Sequence, residues 1–276
     1  MKSVRKKTLL YKSKVESAPF CINHVLGCAH GCTYPCYALL MAKRFGRIED
    51  YADWLQPKLV EGALHILDRE IPKFKNKINF VHLCLTTDPF MYGYQEVEEL
   101  SLKIIERLNK NEIRTSTLTK GICPRVLTNQ EVYGYNNTYG ISLVSLTENF
   151  RRRFEPFSAP FDDRINALKH LHDAGLRTWV NIEPYPTPNL FEQNIFDVLN
   201  AVSFVDEINF GRLNYNIKAN TFDGNTEFYE SCTDTVTTFC KENSIECQIK
   251  RGTRLNVGKT TKQGRLTKAS KDVSFI

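Results

Sequence analysis

Three cysteines within nine residues constrain this chain more than any other feature of its sequence. Cys28, Cys32 and Cys36 are separated by three residues each time, in a segment that also contains glycine, proline and aromatic residues. Thiolates this close on one loop can bind a single metal centre, and three soft sulfur ligands suit zinc or an iron–sulfur cluster better than Mg²⁺ or Ca²⁺. Three ligands instead of four leave one coordination position open, which indicates that an exchangeable ligand binds there.

The residues around these cysteines match a known loop. The run from Gly27 to Tyr34 (Gly-Cys-Ala-His-Gly-Cys-Thr-Tyr), followed after Pro35 by Cys36-Tyr37-Ala38, resembles the radical S-adenosylmethionine (SAM) superfamily and most closely its branch around spore photoproduct lyase. The usual superfamily spacing is three residues and then two, so Pro35 is one extra residue. A loop can accommodate such an insertion, because the loop and not a helix sets the direction of each sulfur.

The resemblance implies a cofactor set and a reaction. It implies a [4Fe–4S] cluster held by Cys28, Cys32 and Cys36, with SAM bound to the fourth iron. Reductive cleavage of SAM would give a 5′-deoxyadenosyl radical that abstracts hydrogen from the substrate. The family also implies a small electron-donor protein, such as flavodoxin or ferredoxin. The spore photoproduct lyase branch suggests a pyrimidine lesion or another nucleic-acid substrate.

The same three cysteines allow an alternative from another class of protein. They could hold a structural zinc ion with His24 or His30 as the fourth ligand, in a nucleic-acid-binding protein. The net charge of +6, from 37 basic and 31 acidic residues, agrees with a nucleic-acid partner but does not identify one. Both ends of the chain are basic, and the end from Arg251 onward is either a phosphate-binding tail or a solvated terminus.

Composition and the N-terminal sequence bear on the compartment. Nine cysteines, with only a short apolar run after the basic start Met1–Lys7, argue against a secretory signal and a disulfide framework. The sequence also has no apolar stretch of about 18 residues, the length that a membrane-spanning helix needs. We therefore expect a cytoplasmic protein that does not bind membranes.

Strand-like and helix-like segments alternate about seven times along the chain. Near-continuous apolar strands in such an alternation predict a parallel sheet, and the length favours a partial (β/α)6-type parallel barrel with the cysteine loop after the first strand. We expect a basic arm over residues 1–17, a core over 18–250 and a basic tail over 251–276. The predicted strands are 20–26, 78–85, 114–118, 139–146, 176–183, 205–210 and 245–249. The predicted helices are 37–45, 51–68, 97–108, 125–132, 161–174, 191–202 and 227–242.

Polar residues gather where these strands end, which is where parallel α/β barrels place their active sites. They are Thr86, Thr87, Asp88, Thr119, Lys120, Ser145, Thr147, Asn181, Glu183, Tyr185, Asn209 and Arg212. By analogy with relatives, in which polar residues at strand ends contact SAM, we predict that Thr87, Asp88, Ser145 and Glu183 bind SAM. Asp88 precedes Pro89, so capping of the turn is an equal interpretation for it.

Two further features have alternative interpretations. Cys84 lies near the position from which spore photoproduct lyase returns a hydrogen atom, but it is offset by one residue, and we favour a buried thiol. Arg151-Arg152-Arg153 follows the fourth strand and either binds phosphates or forms a solvated helix face.

Overall fold

The computed structural model describes residues 1–13, 18–74, 77–78 and 80–254. The strands are β1 (Lys2–Val4), β2 (Leu10–Lys12), β3 (Phe20–Ile22), β4 (Val25–Leu26), β5 (Lys58–Val60), β6 (Phe80–Leu83), β7 (Arg114–Thr119), β8 (Thr138–Ser142), β9 (Arg177–Tyr185), β10 (Glu207–Arg212) and β11 (Glu246–Ile249). The helices are α1 (Tyr37–Arg44), α2 (Tyr51–Trp54), α3 (Ala63–Phe74), α4 (Gln95–Asn109), α5 (Gln130–Tyr133), α6 (Glu148–Phe154), α7 (Phe161–Asp173), α8 (Ile195–Ala201), α9 (Ile217–Asn220) and α10 (Asn225–Glu242), with a 3-10 turn over Arg125–Thr128.

The main sheet has the strand order β11-β10-β9-β8-β7-β6-β3-β2. Every neighbouring pair is parallel except β2 and β3, which are antiparallel. Helices connect the parallel strands, as parallel pairing requires. In the described part of the chain the two edge strands, β11 and β2, do not pair with each other. The predicted α/β class and partial parallel barrel are therefore confirmed.

The two faces of the main sheet differ in chemistry because successive side chains of a strand point to opposite faces. On the outer face, the side chains of Val180, Ile182, Ile208 and Phe210 are fully buried in the apolar core beneath α7, α8 and α10. On the inner face the same two strands carry mainly polar residues and glycine: Trp179, Asn181, Glu183, Glu207, Asn209 and Gly211. The outer face holds the fold together, so the inner face is free to carry other chemistry.

Helix α7 shows how the sequence ends an element. The N–H of Leu176 donates to the carbonyl of Leu171 (3.1 Å), and the N–H of Gly175 donates to that of His172 (2.8 Å). Gly175 has φ +80°, a conformation that costs glycine little. These bonds form a Schellman motif, and the buried side chains of Leu171 and Leu176 accompany it. Gly175 therefore closes the helix that was predicted over 161–174.

The prediction of one helix over 51–68 is wrong. It contains α2, then β5, and only then α3. Strand β5 pairs in parallel with β1 and antiparallel with β4, which forms a separate three-stranded sheet. Pairing with distant strands overrides the local helical periodicity there. The first predicted strand is divided for the same reason, because β3 joins the main sheet and β4 joins the small one.

Other predicted boundaries also move. Strand β9 continues through Pro184 to Tyr185, because Tyr185 still pairs with Arg212 of β10 and accepts from the Leu213 N–H (3.1 Å). Strand β8 ends at Ser142, four residues earlier than predicted. The predicted helix over 191–202 is shortened to α8.

The segment predicted as a basic arm contributes β1 and β2 to the two sheets. Leu9 and Leu10 are buried, and their N–H groups donate to the carboxylate of Glu70 in α3 at 3.0 and 2.8 Å. The three-part division of the chain stays a prediction. Most of the predicted tail, from residue 255, lies outside the described residues. Among the described helices, none has the length and apolar character to cross a membrane.

Gly140 of β8 leaves room on the inner face of the sheet for the indole ring of Trp179. A Cβ atom there would lie 2.4 Å from the Trp179 ring, so the indole occupies the space that a side chain would need. Gly140 and Trp179 are register partners on β8 and β9. The ring can lie across β8 only because residue 140 has no side chain.

We predict that Gly140→Ala lowers the free energy of unfolding by about 1–3 kcal/mol, the usual cost of overpacking a tight site. Urea denaturation of the purified variant would measure it. Combining it with Trp179→Leu, which removes the clashing ring, should recover part of the loss in a double-mutant cycle. Simple additivity of the two changes would contradict the proposed contact.

Candidate metal centre

The cysteine loop connects β4 to α1, at the edge where the parallel strands end. Three backbone bonds hold it: the Cys28 N–H donates to Trp54 O (2.9 Å), the Thr33 N–H donates to Phe154 O (3.0 Å), and His30 O accepts from the Phe157 N–H (3.2 Å). Gly27, with φ +89°, begins the loop, and a Cβ there would lie 2.7 Å from Trp54 O. Only glycine fits this close approach of two backbone segments.

The three thiols of the loop are close enough to influence one another. All are free and partly buried. Burial, and then the neighbouring Cys32 thiol, raise the pKa of Cys28 well above its usual value. Burial raises the pKa of Cys32 to about 12, although the Lys120 ammonium nearby opposes the shift. Without a bound cation these two thiols keep their protons, so metal binding must release them.

The extra residue Pro35 lies directly before the first helix after the loop. Cys36 is the N-cap of α1, with an extended backbone (φ −76°, ψ 118°), and its carbonyl accepts the first helical bond from the Leu40 N–H (3.0 Å). The insertion is therefore accommodated between the buried Tyr34 and the helix start.

Asp88 ties the loop to the strand ends. Its carboxylate lies 2.8 Å from His30 Nε2 in the loop, and both side chains are buried. The same carboxylate accepts from Thr119 Oγ1 (2.6 Å), the Phe90 N–H (2.9 Å) and the Lys120 N–H (2.7 Å). Burial alone would raise the pKa of Asp88, but His30 and these donors outweigh it and lower the pKa. Asp88, which we predicted to bind SAM, thus caps the turn after β6 and anchors the cysteine loop. Its contact with SAM stays a prediction.

A second buried network lies beneath Cys32 and was not predicted from the sequence. Glu155 accepts from Tyr34 Oη (2.5 Å) and Lys120 Nζ (2.5 Å) through one oxygen, and from both terminal nitrogens of Arg164 (3.0 Å each) through the other. Glu155 and Arg164 are fully buried. Burial raises the pKa of Glu155, but Lys120 and Arg164 bring it down to about 2. The network orients Lys120 toward the thiols.

The other predicted SAM ligands lie around the same edge of the sheet. Thr87 Oγ1 donates weakly to Val25 O (3.4 Å), next to the start of the cysteine loop. Ser145 is buried, and its hydroxyl lies 3.2 Å from Thr147 Oγ1, the N-cap of α6. Glu183 lies on the inner face, over Gly211, and burial raises its pKa. Their contact with SAM stays a prediction.

The donor set can be tested against the two metal alternatives. The two histidines considered as fourth zinc ligands bind elsewhere: His24 Nε2 lies 2.7 Å from Ser101 Oγ, and His30 binds Asp88. Over the described ranges, no group of three His, Cys, Asp or Glu side chains is arranged to hold a single metal ion. The zinc alternative therefore has no support from the structure. Three thiols on one loop fit a cluster with one open iron.

Cys84 and the arginine run take up defined places. Cys84 is buried with φ +56°, its sulfur lies 3.6 Å from His24 Nδ1, and burial raises its pKa to about 12. This agrees with the buried thiol that we favoured. In α6, Arg151 and Arg152 pair with Glu148, and Arg153 lies 4.8 Å from the ring centroid of Phe154.

We predict that Glu155→Gln lowers the free energy of unfolding by about 3–5 kcal/mol, because it leaves Lys120 and Arg164 as buried cations without a carboxylate. Urea denaturation would measure the loss. Glu148→Gln, a matched change at an exposed ion pair, is the control and should change stability little. Equal effects of the two substitutions would contradict the importance of the buried network.

The inner-face residue His82 should make stability depend on pH. Burial, and then the charge of Lys250, lower its pKa from 6.5 to about 4. The unfolded chain gains this proton below pH 6.5 but the folded chain only near pH 4, so stability falls as pH drops across that window. We predict that His82→Gln removes about 3 kcal/mol of this decline. Denaturation at pH 7 and pH 4 would measure it, with exposed His65→Gln as the control that should leave the decline unchanged.

Two curated proteins are similar to this chain over about two thirds of its length. An uncharacterized protein of Methanocaldococcus jannaschii is 25% identical over 66% of this chain and 66% of its own length. An uncharacterized protein of the Acidianus two-tailed virus is 23% identical over 68% of this chain and 63% of its own length. The chain thus matches just under two thirds of the length of these curated relatives.

Solved structures with a similar fold are more informative about architecture. A spore photoproduct lyase variant with bound SAM and dinucleoside spore photoproduct superposes with a TM-score of 0.65, at 15% identity, over 90% of this chain and 80% of its own. SuiB of Streptococcus suis bound to SAM gives a TM-score of 0.51 at 13% identity, over 83% of this chain and 46% of its own. At these identities the likeness shows the fold.

The sequence itself establishes the family. The model of the radical SAM superfamily matches residues 22–199, a range that starts in β3, contains all three loop cysteines and ends in α8. The match covers more than half of the chain and agrees with the open parallel sheet of the structure. This chain belongs to the radical SAM superfamily.

Proposed function

We propose that this chain is a radical SAM enzyme whose [4Fe–4S] cluster is held by Cys28, Cys32 and Cys36. The cluster and SAM are the cofactors of the superfamily, as the sequence predicted. The observation that carries the proposal is the placement of three free, mutually close thiols on one loop at the carboxyl ends of the parallel strands. Three thiolates leave one iron open for SAM.

When bound, the cluster supplies the electron that cleaves SAM and so produces the radical that abstracts hydrogen from the substrate. The side chains of this protein prepare the site for that chemistry. Asp88 fixes His30 and with it the loop, and Glu155 holds Lys120 beside Cys32, where the ammonium offsets the negative charge of bound thiolates.

Thr87, Ser145 and Glu183 are the side chains that we propose for SAM recognition, with Asp88 as their structural support. They lie at or just after the carboxyl ends of β6, β8 and β9, the edge of the sheet to which Asp88 ties the cysteine loop. The raised pKa of Glu183 reflects a carboxyl group in a sheltered position, where hydrogen bonds to an amine or a ribose hydroxyl are strong. The identity of the SAM contacts is part of the proposal.

For the substrate we propose a nucleic acid with a damaged base. A solved spore photoproduct lyase with a similar fold has a dinucleoside spore photoproduct bound. The surface next to the loop carries the exposed aromatic residues Tyr37, Phe45 and Phe157, and α1 ends with the basic residues Lys43 and Arg44. Exposed rings beside basic side chains suit bases and phosphates of a single-stranded or distorted segment. An electron donor of the flavodoxin or ferredoxin type is the second partner.

The test of the chemistry is anaerobic reconstitution with iron and sulfide, followed by dithionite and SAM. We predict that the wild-type chain forms 5′-deoxyadenosine. Cys32→Ala should form at least about a hundredfold less, because a second iron then lacks its protein ligand and the cluster is no longer held. Cys247→Ala, an exposed cysteine on β11 away from the loop, is the control and should keep activity.

Two results would refute the proposal. One is a colourless protein that binds stoichiometric zinc and no iron after reconstitution. The other is a deoxyadenosine yield that Cys32→Ala does not reduce. The substrate assignment is tested separately, by adding oligonucleotides with and without a spore photoproduct and measuring repaired thymine. Deoxyadenosine formation without repair would reject the nucleic-acid lesion and keep the radical chemistry.

A further inference from the structure

The segment between β1 and β2 places a lysine at the same edge of the sheet as the cysteine loop. Lys6 Nζ donates to the carbonyl of Asn23 (2.9 Å), the residue that follows β3. Asn23 Oδ1 in turn accepts from the Thr86 N–H (3.3 Å) in the turn after β6. The partly buried Lys6 ammonium therefore lies at the carboxyl ends of β3 and β6.

Lys6 and the exposed Arg47, which follows α1, are two cations without a carboxylate partner. In the described part of the chain, neither forms an ion pair with an acidic side chain, whereas the neighbouring Arg5 pairs with Glu61 (3.0 Å). Burial lowers the pKa of Lys6 and the like charge of Arg47 lowers it further, although the Cys84 thiol opposes the shift. The loop cysteines that would hold a cluster are not among the groups that influence Lys6. A bound anion would relieve the repulsion between the two cations.

The other titratable groups around Lys6 carry no charge at neutral pH. Burial raises the pKa of Cys84 to about 12 and that of Cys21 to about 11, and it also raises the pKa of Tyr11 above its usual value. Burial, and then the charge of Lys6, lower the pKa of His24 to about 3. The surroundings are therefore net positive, so an anionic ligand suits them better than a neutral or cationic one.

Aromatic rings lie beside these cations. The Arg47 guanidinium lies 5.3 Å from the ring centroid of Phe45, which is 58% exposed. Asn23, which binds Lys6, also donates through Nδ2 to the hydroxyl of the exposed Tyr11. The next residue after Tyr11 is also a cation beside a ring, since Lys12 Nζ lies 5.9 Å from the ring centroid of Phe20. These side chains form a basic strip that runs from the end of α1 to strands β2 and β3: Phe45, Arg47, Lys6, Tyr11, Lys12 and Phe20.

We propose that the basic strip binds the sugar–phosphate backbone of a single-stranded or unpaired stretch of nucleic acid. Lys6 and Arg47 would each bind a backbone phosphate, and the exposed rings of Tyr11 and Phe45 would stack on neighbouring bases. A strand bound there passes over the carboxyl ends of β3 and β6, the edge where the cysteine loop lies. The inference rests on the nucleic-acid substrate proposed above and extends it, because it specifies the form of the substrate and the groups that bind its backbone.

The salt dependence of binding tests the two phosphate contacts. Fluorescence anisotropy would follow a labelled oligothymidylate of about twelve nucleotides binding to the full-length, cluster-reconstituted chain at several NaCl concentrations. The logarithm of the association constant should fall linearly with the logarithm of the salt concentration. Lys6→Gln and Arg47→Gln should each make this slope shallower by about 0.7, the contribution of one phosphate contact on a single strand. Lys6→Arg keeps the charge and should keep the wild-type slope.

Controls at the opposite edge of the sheet separate the strip from general charge effects. Lys241→Gln, at an exposed lysine of α10, removes the same charge and should leave the slope unchanged. Phe45→Ala should weaken binding at least about fivefold, the lower limit for the loss of one base stack. Phe196→Ala, at an exposed ring of α8, should bind like the wild type. The melting temperature of each variant identifies unfolding as a separate cause.

The outcomes distinguish the strip from the proposed function. Folded Lys6→Gln and Arg47→Gln variants with the slope of Lys241→Gln would overturn the strip and leave the nucleic-acid substrate standing. A wild-type chain that does not bind the oligonucleotide would reject both the strip and the nucleic-acid substrate. Neither result changes the outcome of the deoxyadenosine assay, because oligonucleotide binding requires neither SAM nor an electron.

Discussion

The buried carboxylate of Asp88 is the interaction on which the arrangement of the site depends. It receives four hydrogen bonds: one from His30 in the cysteine loop, one from the Phe90 N–H in the segment after β6, and two from Thr119 and Lys120 at the end of β7. The backbone bonds of the loop, at Cys28, His30 and Thr33, go to Trp54, Phe157 and Phe154, so Asp88 supplies its link to the strand ends. An unpaired charge at this depth would be costly, so the donors and the carboxylate require one another.

Glu155 extends the same logic to the other side of the loop. Tyr34 lies between Cys32 and Cys36, and its hydroxyl binds a carboxylate that is also bound by Lys120 and Arg164. Lys120 belongs to both networks, because its N–H binds Asp88 and its ammonium binds Glu155. The loop is thus held at His30 and at Tyr34 by carboxylates that share one lysine. Two fixed points determine where the intervening sulfur of Cys32 lies.

Sequence reasoning predicted the parts of this structure that depend on local patterns. The cysteine loop was recognised by its own residues, and the strand–helix alternation predicted the open parallel sheet, since buried strands of this kind need helices on their faces. The helix over 51–68 was wrong because β5 exists only through pairing with β1 and β4. Glu155 and Arg164 were missed because they are nine positions apart and meet only after folding. A charged residue among apolar ones, such as Glu155 between Phe154 and Pro156, was the available signal.

The two ends of the inner face illustrate why a polar sheet face is tolerated at all. The outer face of β9 and β10 buries Val180, Ile182, Ile208 and Phe210, so these strands are already stabilised before their inner residues are considered. At the carboxyl end, polar residues satisfy one another around the loop, as at Asp88. Toward the amino end, the side-chain oxygens of Asn181 and Asn209 and the indole N–H of Trp179 have no hydrogen-bond partner among the described residues. Unpartnered polar groups lower stability, so the sheet keeps them only because the apolar burial on its outer face outweighs their cost.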